Sequence, residues 1–274
     1  MVMTATRGAH VLEDASHLLT YPEDLRECAQ QQGYLYFRHL LSPLRVLEVR
    51  RRVLEICHRH HWLEPSAALM NGMTRQGFSC VVNPMDAVWS RCYNDILRLR
   101  EVHALALEHH LMLTMEKVFG ARVLVHPRNI VHAFFPGSYL FPAPIHQDHT
   151  AIGGSPNTWS AWLPLGDCPR ELGGLALLPG SHTGGMLFDM AMSDIAMADK
   201  EEEHGDWLDA DMNCGDVLLM HNLLVYQEKG NQTARQLGLA ATFRYQPLCD
   251  PVPHDAMQPY QTSLTWDQIY ASWD

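Results

Sequence analysis

The strongest constraint on the fold is a change of pattern at Gly120. After it the apolar residues come in short runs: Arg122–His126, Ile130–Phe135, Thr158–Leu165, Leu175–Leu178, Val217–Met220 and Leu237–Tyr245. Gly, Pro and Asn separate the runs, which are too short for amphipathic helices and suit buried strands. Many short strands behind a helical portion predict a mostly β chain with α-helical N-terminal support, a sandwich or jelly-roll barrel buttressed by helices.

The part before Gly120 reads as that support. Pro22–Gln32 is a short helix closed by Gly33, and the aromatic Tyr34–Phe37 is a strand. Ser42-Pro43 is a helix start, with Val46, Val49, Val53 and Ile56 at helical spacing towards His61. Residues 62–90 read as irregular and able to supply one wall of a pocket. Asp95–Phe119 reads as mostly helical, with Ala104, Leu107, Leu111, Met115 and Val118 on one core-facing side. No repeat or linker divides the chain. The expectation is one domain over 1–274: a loose arm at 1–20, mainly helical support at 21–120 and a jelly-roll core at 121–250.

Composition removes several function classes. The net charge of −11 is the wrong sign for a nucleic-acid surface, which needs Lys/Arg stripes. Much of the negative charge is local, between Asp199 and Asp211, and reads as a solvated loop. No apolar run is long enough to span a bilayer, and Met1–Ala9 lacks the apolar stretch of a signal peptide. Seven cysteines, without a Cys-x-x-Cys pair, read as reduced structural thiols. A cytoplasmic protein with a small-molecule partner, and with neither nucleic acid nor membrane, is expected. Oligomeric state has no sequence signal.

Against this background His146-Gln147-Asp148 carries chemistry. Residues two apart on a strand share a face, so imidazole and carboxylate can grip one small object. They are two thirds of the 2-His-1-carboxylate triad that leaves open positions on iron(II). His149 beside them suits an orienting role. His58, His60, His61, His109 and His110 fall in or at the ends of helices and read as structural.

The following segments carry a resemblance. Asn157–Cys168, Glu171-Leu172-Gly173-Gly174-Leu175, Pro179-Gly180-Ser181-His182, Gly215-Asp216-Val217-Leu218 and Phe243-Arg244-Tyr245-Gln246-Pro247 follow the histidine–aspartate pair in order. With that pair, over roughly residues 20–255, the chain resembles the phytanoyl-CoA dioxygenase family of iron(II)/2-oxoglutarate oxygenases. The resemblance implies a double-stranded β-helix, cupin-like, holding one Fe(II) with 2-oxoglutarate and O2 as co-substrates. It places His146 and Asp148 at the first two metal-ligand positions. An intact Asp148 favours hydroxylation over halogenation, since related halogenases vacate that position.

The family then offers two histidines five residues apart, the second binding iron. Here the matching residues are His221 and Tyr226. The metal set is therefore His146 and Asp148 with His221, or with Tyr226 as the alternative third position. An odd separation puts the two on opposite faces of an uninterrupted strand, and Asn222 could break it. Gly238 stands where the family has the arginine that anchors 2-oxoglutarate. Arg235 and Arg244 are the substitute anchors, because a guanidinium fork meets a carboxylate bidentately. Tyr226, Arg128, Trp159 and Gly238 are the pocket candidates, Gly238 by opening room.

These readings imply a non-haem iron(II) oxygenase, 2-oxoglutarate-dependent, that hydroxylates or desaturates a small metabolite. Two alternatives stand beside it. One is a metalloenzyme of the same fold that binds substrate directly at the metal. The other is a non-catalytic binding protein on a decayed oxygenase barrel.

Overall fold

The computed structural model describes residues 11–78, 80, 82–138, 144–187, 206–271 and 273. The tip of the N-terminal arm and Asp199–Glu203 of the acidic run lie outside the described residues. Among the described residues eight strands form two antiparallel sheets: β1 (Tyr34–Phe37), β2 (Val123–Val125), β3 (Ile130–Phe134), β4 (Trp159–Pro164), β5 (Leu175–Leu178), β6 (Val217–His221), β7 (Val225–Glu228) and β8 (Gly238–Pro247). The larger sheet runs β1-β6-β4-β8-β2, with β3 also paired to β8, and β5-β7 forms the smaller one.

The larger sheet has two contrasting faces. Ala161, Leu163, Leu219, Leu239, Ala241, Phe243 and Tyr245 turn towards the helices and join the main core. Trp162, Leu218, Met220 and Ala240 turn the other way, onto Leu175 and Leu177 of β5. The period of two along each strand imposes this division. Arg50 of α2 (Pro43–Arg59) ties the helical layer to the end of β4 by donating to the Leu165 carbonyl at 2.9 Å.

Gly215-Asp216 is explained by the joint between β1 and β6. Buried Asp216 accepts from the Tyr36 hydroxyl at 2.6 Å and from the His39 and Asn213 amides at 2.9 and 2.8 Å. Gly215 lies at φ 98°, and a Cβ there would sit 2.6 Å from the Leu41 carbonyl oxygen, so the turn requires glycine.

Three expectations are corrected. Asp95–Phe119 is part of three helices, α3 (Ala87–Leu97), α4 (Arg100–Leu105) and α5 (His109–Phe119). The chain breaks at Leu99, before α4, and at Glu108, whose side chain accepts the His110 amide hydrogen and starts α5. The restart turns Leu107 outward, where it is 60% exposed. Secondly, β7 is a strand although Val225–Glu228 is not among the predicted runs. Thirdly, His146-Gln147-Asp148 is not a strand. His146 makes an isolated bridge to Tyr226, and Asp148 opens the short helix α6 (Asp148–Ile152).

The last helix among the described residues is α7 (Trp266–Tyr270). No helix among the described residues is long and apolar enough to cross a membrane.

Candidate active site

The site is built around a buried carboxylate. Asp148 Oδ2 accepts from Ser160 Oγ at 2.7 Å and from Arg244 Nη2 at 3.2 Å, while Oδ1 accepts from the Tyr226 hydroxyl at 2.7 Å. Ser160 and Arg244 are cross-strand partners on β4 and β8, and both project from the face of the larger sheet that turns away from the helices. Burial pushes the Asp148 carboxyl upward. Arg244, then Tyr226 and Ser160, more than reverse that and hold it at about 2. Asp148 is therefore an anion with matched charge inside the protein.

His146 faces the same carboxylate. Its Nε2 lies 4.0 Å from Asp148 Oδ1, and its ring packs on Tyr226 with centroids 4.3 Å apart. Nδ1 is 2.8 Å from the Pro144 carbonyl, which can only accept, so in the neutral ring the proton sits on Nδ1 and Nε2 carries the lone pair. Gln147 between them holds the segment. Its Nε2 donates to the Gly185 and Leu223 carbonyls at 2.8 and 2.6 Å, and its Oε1 accepts from the Leu187 amide at 2.7 Å. This clamp fixes both neighbours without a strand.

The other predicted residues separate into two groups. Tyr226 and Arg244 reach Asp148. His221 does not. It pairs with Trp159 and stacks edge-on against that indole at 5.5 Å, on the opposite face of β4 from Ser160. His182 is 5.0 Å away on the same side. Trp159 accordingly belongs to the helix-facing core, not to a pocket beside Asp148. Strand parity corrects both placements. His149 bonds Asn222 at 3.0 Å and leaves Asp148 to other groups.

Arg235 is at the surface, where it pairs with Glu64 at 3.0 Å and donates to the Thr74 carbonyl. Arg128 donates to the Asp255, Gln258 and Pro259 carbonyls and lies over the Tyr260 ring, tying the C-terminal segment to the sheet. Gly238 opens no room. A Cβ there would meet the Leu172 carbonyl oxygen at 3.0 Å and Phe134 Cβ at 3.1 Å. Phe134, its register partner on β3, fills that space.

Sequence reading missed a second polar cluster nearby. His132 Nδ1 pairs with Glu228 at 3.1 Å, and its Nε2 meets Thr242 Oγ1 at 2.8 Å. Burial raises the Glu228 carboxyl, but His132 outweighs it and the net direction is down. A period-two reading of β7 would have linked Glu228 to Tyr226. His132 and Glu228 line a cavity of about 630 Å³ with Trp89, Phe134, Phe135 and Tyr260. A cavity of about 650 Å³ beside α2, lined by Arg52, Glu55 and Arg59, holds none of these groups.

As a metal grip, the arrangement supplies an imidazole nitrogen and an ionised carboxylate aimed at one point. The third place carries a phenol. No group of three or more His, Cys, Asp or Glu able to hold an ion occurs among the described residues. For the distal carboxylate of a 2-oxo acid, the Gly238 position offers no cation. Arg244 is the guanidinium of the site, and its Nε meets no acceptor among the described residues.

Comparison with known proteins agrees with this geometry at the level of fold. The family model for phytanoyl-CoA dioxygenase (PhyH) matches residues 29–236, more than half of the chain. The 1-deoxypentalenic acid 11-beta-hydroxylase of Streptomyces arenae is 25% identical over 272 residues, covering 91% of this chain and 90% of that protein. The α-ketoglutarate-dependent carbocyclase SnoK from nogalamycin biosynthesis superposes with a TM-score of 0.60 at 19% identity, covering 84% of this chain and 85% of that one. The epimerase SnoN, solved with Fe3+, α-ketoglutarate and nogalamycin RO, gives 0.59 at 19% identity, covering 85% and 87%.

Proposed function

The chain belongs to the phytanoyl-CoA dioxygenase family, and from that premise we propose that it is a non-haem iron(II) oxygenase of the 2-oxoglutarate-dependent class. It oxidises a small-molecule metabolite. The observation that carries this reading is the convergence of His146 Nε2 and Asp148 Oδ1, 4.0 Å apart, with the Nε2 lone pair kept free by Pro144. The finer architecture is a double-stranded β-helix in one domain, a reading supported by the sheet that joins residue 34 to residue 247. Seven free cysteines suit a reducing, cytoplasmic setting.

His146 and Asp148 would hold the metal. When bound, iron with O2 and 2-oxoglutarate supplies the oxidising chemistry. The protein's own groups do the rest. Arg244 and Ser160 keep Asp148 ionised and oriented, and Gln147 keeps the histidine–aspartate segment rigid. The cavity with Trp89, Phe135 and Tyr260 would bind an apolar, ring-containing substrate and exclude water, and its volume suits a molecule of that size. The hydroxylation, carbocyclisation and epimerisation carried out by the relatives support a small metabolite as substrate.

The test is anaerobic loading with Fe(II), then O2 and 2-oxoglutarate with candidate cyclic metabolites, reading succinate and oxidised product in equal amounts. Bound iron with no succinate under any condition contradicts the 2-oxoglutarate part. That outcome is the second reading, a metalloenzyme of this fold binding substrate directly at the metal. The filled space at Gly238 specifically favours it.

A further inference from the structure

We propose that Tyr226 stands at the third metal-ligand position as a competitor of the cation: its hydroxyl holds Asp148 Oδ1, and a divalent metal binds through His146 and Asp148 only by displacing it. The inference rests on the reading of those two residues as the metal pair, and it adds what the third residue does. Its ground is the distribution of donors around one carboxylate. Oδ2 is taken by Ser160 and Arg244, at 2.7 and 3.2 Å. Oδ1, the oxygen that faces His146, is taken by Tyr226 at 2.7 Å.

A buried carboxylate needs its charge matched and its lone pairs occupied. Here the guanidinium of Arg244 does the first, and the three donors together do the second. In a site with a histidine at the third place, the cation would do both. This chain has installed protein groups in the cation's stead, so its metal-free form is electrostatically complete. A metal arriving at Oδ1 finds a neutral phenol directed at the same oxygen, its ring packed at a tilt against the imidazole that must also bind the metal. Tyr226 is in turn held in register by β7, opposite Leu177, and by its bridge to His146. Its displacement from Asp148 is therefore a rotation of the side chain on a fixed backbone. A neutral phenol is a poor ligand, whereas its O–H is a good donor to an anion.

The consequence is an ordering of affinities. A hydrogen bond to a charged acceptor is worth on the order of tenfold or more in an equilibrium constant. Removing the hydroxyl should therefore strengthen metal binding, and supplying an imidazole should strengthen it further. The experiment is Mn(II) titration followed by electron paramagnetic resonance, on the purified full chain as wild type, Tyr226→Phe and Tyr226→His. Thermal melting of each variant checks that it is folded.

The expected order is wild type weakest, Tyr226→Phe about tenfold tighter and Tyr226→His tightest. Tyr226→Phe binding more weakly than wild type would make the phenol a ligand and overturn the inference while leaving the proposed function standing. Mn(II) binding to none of the three, the histidine variant included, would overturn the metal reading of His146 and Asp148 itself. A second readout needs no variant: saturating wild type with Mn(II) should produce no tyrosinate absorption, and its appearance would contradict the competitor role.

Discussion

Phe243 and Arg244 are neighbours on β8, and they show how differently the two faces of the larger sheet are stabilised. Phe243 is fully buried among aliphatic and aromatic side chains from the helices. Arg244, 7% exposed, is buried against a single carboxylate. The apolar face is stabilised by area removed from water, is non-directional and tolerates exchange of one hydrocarbon for another. The polar cluster around Asp148 on the other face works only as a set, because removing one partner strands the other in a low dielectric. The first builds the barrel, and the second fixes a few side chains with the accuracy a site requires.

The largest effects separate these two mechanisms by pH. Phe243→Ala should cost about 3–5 kcal/mol in urea unfolding, with no dependence on mildly acidic pH, because only a cavity is created. Arg244→Met should cost about 3–5 kcal/mol at neutral pH by leaving the Asp148 charge unmatched. Its loss should shrink as the solution is acidified, since protonating Asp148 removes the stranded charge. Adding Asp148→Asn to Arg244→Met should recover much of the stability. A loss that stays the same down to acid pH in Arg244→Met would merge the two faces into one mechanism.

The wild type carries the same signature in a lower range. Asp148 titrates at about 2 when folded, against 3.8 ordinarily, so the unfolded chain takes up the proton first. Its contribution to stability is complete above about pH 4 and is lost as the pH falls through 3.8 towards 2. Acid unfolding of the Arg244→Met variant should therefore begin at higher pH than that of the wild type.

A separate effect, in a higher pH range, belongs to His221 on the other face. Burial, with repulsion from His182 and His149, lowers its imidazole to about 4 from 6.5. The unfolded chain again binds the proton first, so stability should decline as pH falls from 6.5 to 4. His221→Gln should flatten that slope and leave Asp148 untouched. The smallest effect on stability is expected at His146. Its replacement by Ala removes one hydrogen bond to Pro144 and a ring contact, about 1 kcal/mol by thermal melting, although it should abolish metal binding.

The apolar face was the legible one. Runs of hydrophobic residues foretold six of the strands, and Pro22–Gln32 and Tyr34–Phe37 agree in their limits with α1 (Pro22–Gln32) and β1. The break at Glu108 within the expected Asp95–Phe119 helix was harder, because the N-cap carboxylate interrupts an apolar stripe that keeps helical spacing across it. The polar cluster around Asp148 was legible only as residue types. The spacing of His146 and Asp148 brings them together for a different local reason than the expected strand: a glutamine clamp places them. His221 ends β6 and Tyr226 lies on β7 in the other sheet, so the chain breaks between them and parity along one strand does not decide; the bridge of Tyr226 to His146 does. Arg235 and Arg244 are equivalent as charges in a sequence. Only pairing across β4 and β8 brings Arg244 to Ser160 and hence to Asp148.

Anomalous diffraction from crystals of the wild-type protein soaked with Mn(II) addresses the site most directly. The account predicts a single peak between His146 Nε2 and Asp148 Oδ1, with Tyr226 displaced from that oxygen and no peak beside His221. A peak bounded by His221 and His182, with Tyr226 still bonded to Asp148, would contradict it.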